Sequence, residues 1–172
     1  MATSTSSPAA QPVTGHHPLP ENCVGSAVIT SDAPVVALVN DSLDYTVQSA
    51  AYNPMSRAQA GRTLAVPLFR AGHTLHGLTT GIAVMNVGDA PATIELAVQS
   101  AQGTTPVTGR PGMTLTNVGP NETALFWPPD FGLPHPWTDP DRAVGSAVIT
   151  SDHPIVAIVN DTALDGAFDA AT

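Results

Sequence analysis

The sequence predicts an all-β fold, an antiparallel β-sandwich of Ig-like, Greek-key character. Apolar and polar residues alternate over short runs, as they do in strands with one buried face. Gly, Pro, Asn and Asp separate these runs at short intervals, and nowhere do apolar residues recur at helical spacing over three turns. A third observation is an internal repeat whose unit itself resembles paired strands.

The repeat consists of residues 24–41, the first copy, and residues 144–161, the second copy. The two copies lie 120 positions apart and are identical at 15 of 18 positions. Each contains a β-branched run, a Ser-Asp-x-Pro segment and a second β-branched run. Because proline presets the backbone angle and aspartate can bond to its own main chain, this segment favours a turn. The sequence therefore predicts a β-hairpin in each copy.

The rest of the chain is arranged around these two hairpins. Residues 1–20, rich in Ser, Thr, Pro and Ala, are predicted to be a flexible leader. Residues 21–62 are predicted to hold the first hairpin and a connector. Residues 63–161 are predicted to form the sandwich core, which includes the second hairpin, and residues 162–172 a flexible tail.

Within the predicted core, residues 79–100 favour another hairpin around Gly88-Asp-Ala-Pro91, a third Asp-x-Pro turn. Its second arm alternates, which places Ile94, Leu96 and Val98 on one face. Pro67 interrupts a different strand and argues for an edge strand or a strand end, because proline cannot donate to the ladder. Strands are predicted at 63–69, 113–118 and 122–127.

The amino-acid composition limits the kinds of partner that the chain is predicted to bind. The net charge is −9, there is no lysine, and the basic residues are five arginines. Nucleic acid and anionic membrane surfaces both need a basic face, so neither is predicted as a partner. No run is long and apolar enough for a membrane-spanning helix, and the N-terminus lacks the pattern of a secretory signal. The Ser- and Thr-rich, lysine-free composition nevertheless favours an extracellular or cell-surface location.

A resemblance to a known family also favours an extracellular location. The segments Thr80-Gly-Ile-Ala-Val-Met-Asn-Val-Gly-Asp-Ala-Pro-Ala-Thr-Ile-Glu-Leu96 and 144–160 resemble modules of large bacterial cell-surface and secreted tandem-repeat β-sandwich proteins. The similarity covers roughly residues 24–161 and implies an extracellular, non-enzymatic scaffold. The chain also begins and ends on the same element, which is expected of a tandem array divided once per period. The missing secretory signal departs from this family pattern.

The first copy carries a continuous apolar run at 35–39, and an isolated hairpin of this kind is marginal in water. It either packs in its own molecule as a pseudo-symmetric partner of the second copy, or it completes the sheet of a neighbouring subunit. The second arrangement does not close, so it would build a filament. The residues predicted for self-association are Val28, Ile29, Val35, Val36, Leu38 and Val39.

The segment 126–137 combines prolines with four aromatic residues, Phe126, Trp127, Phe131 and Trp137. Exposed aromatic rings stack on sugars or anchor a protein partner, so these residues are candidate ligand-binding residues. The alternative is that the four rings close one end of the sandwich.

No catalytic motif and no cofactor-binding motif is present, so the sequence predicts neither catalysis nor a cofactor. The acidic loops 41–44 and 161–165 could contribute to a Ca²⁺ site, although that ion needs about six to eight oxygen ligands. Local bonding of Asn and Asp to the backbone is the simpler explanation. Cys23 is the single cysteine, which excludes an internal disulfide. Glycosylation sequons begin at Asn40, Asn121 and Asn160.

Three functional hypotheses follow. The first is a non-catalytic extracellular module that assembles with itself or with other surface modules through sheet edges and hairpins. The second is a carbohydrate- or protein-binding module that uses the aromatic segment. The third is an accessory domain of a hydrolase.

Overall fold

The fold is all-β, as predicted, and every strand pairing is antiparallel. A computed structural model of the chain describes residues 3–6, 11–13, 25–43, 48–74, 76–103 and 105–163. These residues contain two short 3-10 segments, Arg57–Gln59 and Pro128–Phe131, and no α-helix. The strands are β1 (Thr3–Ser6), β2 (Gln11–Val13), β3 (Ala27–Thr30), β4 (Val39–Leu43), β5 (Gln48–Tyr52), β6 (Gly61–His73), β7 (Leu78–Asn86), β8 (Ala92–Ser100), β9 (Thr114–Val118), β10 (Thr123–Phe126) and β11 (Val144–Thr162).

The main sheet has six strands in the order β10-β7-β6-β11-β8-β9. A further pairing joins β7 to β11, so the sheet curls until it is nearly closed, like a barrel. Two smaller sheets, β2-β1-β3 and β4-β5, are built from the N-terminal part of the chain. Among the described residues, no helix is long and apolar enough to cross a membrane.

The inner face of the curled sheet forms one apolar core. The alternation predicted for β8 is confirmed, because Ile94, Leu96 and Val98 are buried while Glu95 faces solvent. All six strands of the main sheet contribute side chains to this core. Its fully enclosed members include Phe69, Ile82, Val84, Ile94, Leu96, Val98, Met113, Phe126, Phe131, Ile149 and Ile155.

The second copy is the longest strand, β11, and it bends at Asp152–Pro154. Before the bend β11 lies between β6 and β8, and after it β11 pairs with β7. The Asp152 carboxylate accepts a hydrogen bond from the Thr93 backbone N–H at 2.8 Å. The Pro154 carbonyl accepts another from the Val87 N–H at 3.0 Å. The bend is therefore fastened to the connection between β7 and β8.

The hairpin predictions were wrong. In the second copy, 144–161, the two arms belong to one strand and do not pair with each other, because the first arm pairs with β6 and β8 and the second arm pairs with β7. In the first copy, 24–41, β3 pairs with β1 and β4 pairs with β5, so the arms do not meet. Residues 79–100 form no hairpin either, since β11 lies between β7 and β8.

Pro67 lies inside β6, at a β-bulge. Val66 is opposite Ala147 and Phe69 is opposite Gly145, so two residues of β6 face one residue of β11. A bulge leaves a position outside the regular ladder, which tolerates a residue without an N–H. Along 61–70, β6 pairs with β11 and with no other described strand, in agreement with the predicted edge.

The predicted terminal segments fall partly outside the described residues. Thr3–Ser6 and Gln11–Val13, within the predicted leader, are strands, and the other positions of 1–20 lie outside the described part. Thr162 ends β11, and the predicted tail beyond Ala163 is likewise not described.

Asn86 is a fully buried polar residue that joins three parts of the sheet. Its amide nitrogen donates to the carbonyls of Ala90 at 2.8 Å and Val118 at 2.9 Å. Its amide oxygen accepts from the Gly88 N–H at 2.8 Å. One side chain therefore links the end of β7, the turn that follows it and the end of β9. Buried backbone groups of this kind need such partners.

Replacing Asn86 by Ala should lower the free energy of unfolding by about 3 kcal/mol, because the buried Val118 carbonyl and two part-buried backbone groups lose their partner. Urea denaturation followed by circular dichroism measures the loss. Asn53, which is exposed, is the matched control, and Asn53→Ala should stay within about 0.5 kcal/mol of the parent. Equal stabilities for the two variants would contradict the structural role of Asn86.

Candidate functional site

The residues predicted to mediate self-association lie at the surface of the described structure. Val36 is fully exposed, and Leu38, Val35 and Ile29 expose 64%, 54% and 43% of their surface. Between β3 and β4 the chain from 31 to 38 belongs to no strand. The remaining two members of the predicted set, Val28 and Val39, are half-buried. The first copy thus presents a contiguous apolar run to solvent.

A hydrogen bond joins the first copy to the main sheet. The Ser26 hydroxyl donates a short hydrogen bond to the Asn121 carbonyl. Asn121 lies in the turn between β9 and β10, where its φ is 63°. The Glu122 carboxylate accepts the Gly119 N–H at 2.7 Å and closes this turn. The beginning of the first copy is therefore held near the β9 and β10 edges of the curled sheet.

Three of the four aromatic residues in 126–137 are buried: Phe126 and Phe131 each expose 1% of their surface and Trp137 exposes 3%. The rings of Phe126 and Phe131 meet edge to face at 6.5 Å. Trp137 meets Phe69 of β6 edge to face at 5.4 Å. This burial favours the interpretation that the segment closes one end of the sheet.

Side-chain and backbone contacts hold the aromatic segment in place. Pro128–Phe131 forms a 3-10 turn, and the Arg110 guanidinium donates to the Gly132 carbonyl at 2.6 Å just after it. The Trp137 N–H donates to the Pro134 carbonyl at 2.9 Å, and the His135–Pro136 peptide is cis. The segment is thus a fixed part of the fold.

Trp127 differs from its neighbours because it is only half-buried. Its six-membered ring lies over Gly81 of β7, where a Cβ atom would be 3.5 Å from the nearest ring carbon. Gly81 is directly opposite Asn160 of β11. The indole therefore rests on the outer face of the sheet, and a glycine forms its floor.

A polar cluster that the sequence did not predict lies where β11 ends. The Thr80 hydroxyl is buried and donates to one oxygen of Asp161 at 2.5 Å, and it accepts the Arg70 N–H at 2.9 Å. The Arg70 guanidinium forms an ion pair with the other oxygen of Asp161. Both side chains are about a quarter exposed, at 25% and 29%. The cluster fastens the end of β11 to β6 and β7.

The calcium hypothesis uses Asp161 as a ligand, but both of its carboxylate oxygens already bond to protein groups. The Thr80 hydroxyl engages one oxygen and the Arg70 guanidinium the other. Of the other acids of that hypothesis, Asp41 belongs to β4, whereas Asp44 and Asp165 lie outside the described residues, as does Cys23. Within the described part of the chain, no three His, Cys, Asp or Glu side chains group closely enough to hold a metal ion.

The glycosylation sequons differ in accessibility. Asn40 is exposed in β4, whereas Asn121 and Asn160 are half-buried. The Asn121 side-chain oxygen is buried without a hydrogen-bond partner.

Comparison with known proteins adds a structural likeness. No family model matches the chain, and no curated protein matches it. Among solved structures, the chain is similar to the Anabaena sensory rhodopsin transducer, with 22% sequence identity and a TM-score of 0.40. The alignment covers 59% of this chain and 94% of that one.

Replacing Trp137 by Ala should destabilise the fold by about 3–5 kcal/mol, because a large ring leaves a closed core site. Trp127→Ala is the matched control, and it should cost clearly less since that ring is half-exposed. Thermal or urea unfolding of both variants measures the difference. A Trp137→Ala protein as stable as the parent would contradict the assignment of the aromatic segment as an end closure.

Proposed function

We propose that this chain is a non-catalytic, extracellular structural module of Ig-like β-sandwich type that associates with other copies of itself or with other surface modules. The observation that carries the proposal is the exposed first copy. Val35, Val36 and Leu38 face solvent, whereas the same positions of the second copy are buried or half-buried in the sheet. Contiguous exposed apolar surface marks an interaction site.

The interior of the molecule supports a structural role. The core is filled by apolar side chains, and its buried polar residues bond to the fold itself. Asn86 joins three backbone segments, Thr79 donates to the Gly77 carbonyl at 3.0 Å, and Thr80 holds Asp161. These polar groups are used to position strands.

The net charge of −9 and the absence of lysine limit the partners we propose. Association is driven by apolar burial, and the acidic surface opposes binding to nucleic acid or to an anionic membrane. An extracellular location follows from the same composition and from the resemblance to surface modules, and it belongs to the proposal.

The double variant Val36→Asp/Leu38→Asp should abolish association while leaving the fold intact, because both side chains lie at the surface. Light scattering over a concentration series, with negative-stain imaging of the most concentrated samples, gives the size of the assemblies. Leu125→Asp is the matched control: Leu125 is 50% exposed but lies on β10, outside the first copy, and its replacement should leave association unchanged. A parent protein that stays monomeric at high concentration would refute the proposal.

One observation favours a second function, a carbohydrate-binding module. The half-exposed Trp127 ring over Gly81 resembles a flat stacking platform, and indole rings stack well on sugar faces. The burial of the other three aromatic residues counts against a larger platform.

If Trp127 is a sugar platform, a panel of soluble oligosaccharides should bind the parent protein and not the Trp127→Ala variant. Titration calorimetry measures this, and the folded state of the variant is checked by circular dichroism. If the parent protein binds none of the oligosaccharides, the carbohydrate-binding function is refuted and only the assembly function remains.

A further inference from the structure

The position of β11 imposes strict requirements on the residues that occupy it. At Gly145 an added Cβ would lie 2.0 Å from the Gln99 backbone oxygen, so only glycine fits where β11 passes β8. At Asp152 the carboxylate accepts the Thr93 N–H at 2.8 Å. The inward-facing positions Ala147, Ile149 and Ile155 expose 2%, 0% and 0% of their surface.

The first copy carries matching residues at these positions in different surroundings. Gly25 corresponds to Gly145, yet a Cβ at Gly25 would have nothing within 4 Å. Asp32 corresponds to Asp152. The inward-facing counterparts are Ala27, Ile29 and Val35, and all three are exposed. Residues 25–40 therefore have the sequence of a β11 strand without its surroundings.

The differences between the copies are compatible with the β11 position. Val35 in place of Ile155 removes one methylene from a buried site, and Leu38 in place of Ile158 exchanges two aliphatic side chains of equal size at a half-buried one. Ala33 replaces His153, whose Cβ lies near Gly88, and alanine keeps a Cβ at that place.

We propose that residues 25–40 act as a donor strand that occupies the β11 position of a second copy of the chain in which that position is vacant. In its own molecule the position is already filled by 144–162, so the first copy is left over for another sheet. Insertion would pair it with β6, β7 and β8 of the acceptor, in the manner of strand complementation. This inference rests on the proposed assembly function and names its route.

The test uses the full chain as both donor and acceptor. The acceptor carries Gly25→Val and Gly145→Val, so neither of its own copies can fill the β11 position. The donor is the parent chain, and the matched control donor carries Gly25→Val, which its own fold tolerates because Gly25 has open space around it. Acceptor and donor are refolded together from urea and analysed by light scattering.

The expected result is a one-to-one complex with the parent donor and none with the Gly25→Val donor. A disulfide identifies the register: Thr150 is opposite Glu95, so Thr30→Cys in the donor should cross-link to Glu95→Cys in the acceptor, with Cys23→Ser in both. No complex, or equal complex with both donors, would overturn the proposal.

A single-chain measurement covers the case in which the acceptor aggregates. A chain with only Gly145→Val keeps one competent strand, whereas Gly25→Val/Gly145→Val keeps none. The proposal requires that the single variant retain cooperative unfolding and that the double variant lose it, and equal loss would overturn it.

The same variants separate this route from the proposed function. If the parent chain and Gly25→Val associate equally in the light-scattering series, the assembly function is supported and strand donation is refuted.

Discussion

Backbone pairing by one strand, β11, holds the main sheet together. The first half of β11 joins β6 to β8, and its second half pairs with β7 and brings the sheet close to closure. Among the described strands, β11 alone pairs with both the connected pair β6 and β7 and the connected pair β8 and β9. Because a sheet is stabilised by the contacts across its strands, the core inside the curl depends on this one element.

The bend explains the composition of the repeated motif. A strand that passes from one neighbour to another must interrupt its ladder, and Pro154, which lacks an N–H, occupies that interruption. Asp152 takes up the Thr93 N–H that the interruption leaves open. Gly145 allows the closest backbone approach, where the bulge at Pro67 already distorts β6. Gly145, Asp152 and Pro154 thus each fit a particular feature of the geometry of the curled sheet.

Local patterns in the sequence were sufficient for the fold class and for the faces of β8, because alternation reports burial directly. They misled at Asp152–Pro154, since turn chemistry does not say whether the two flanking arms pair with each other or with strands far away in sequence. The aromatic segment was ambiguous for a similar reason: the composition of 126–137 does not say which face of a ring is covered. The ion pair between Arg70 and Asp161 joins residues 91 positions apart and has no local signature.

The two copies show how far context decides structure. Nearly the same 18 residues form an unbroken central strand at 144–161 and two short, separate strands with an exposed link at 24–41. Local propensity is nearly equal in the two places, so the difference comes from the neighbours: β6, β7 and β8 pair with the second copy, and among the described strands β1 and β5 pair with the first. In the first copy a segment with the sequence of a central strand pairs only through β3 and β4 among the described residues, and the link 31–38 between them belongs to no strand. The physical basis for association is therefore already present in the sequence of the first copy.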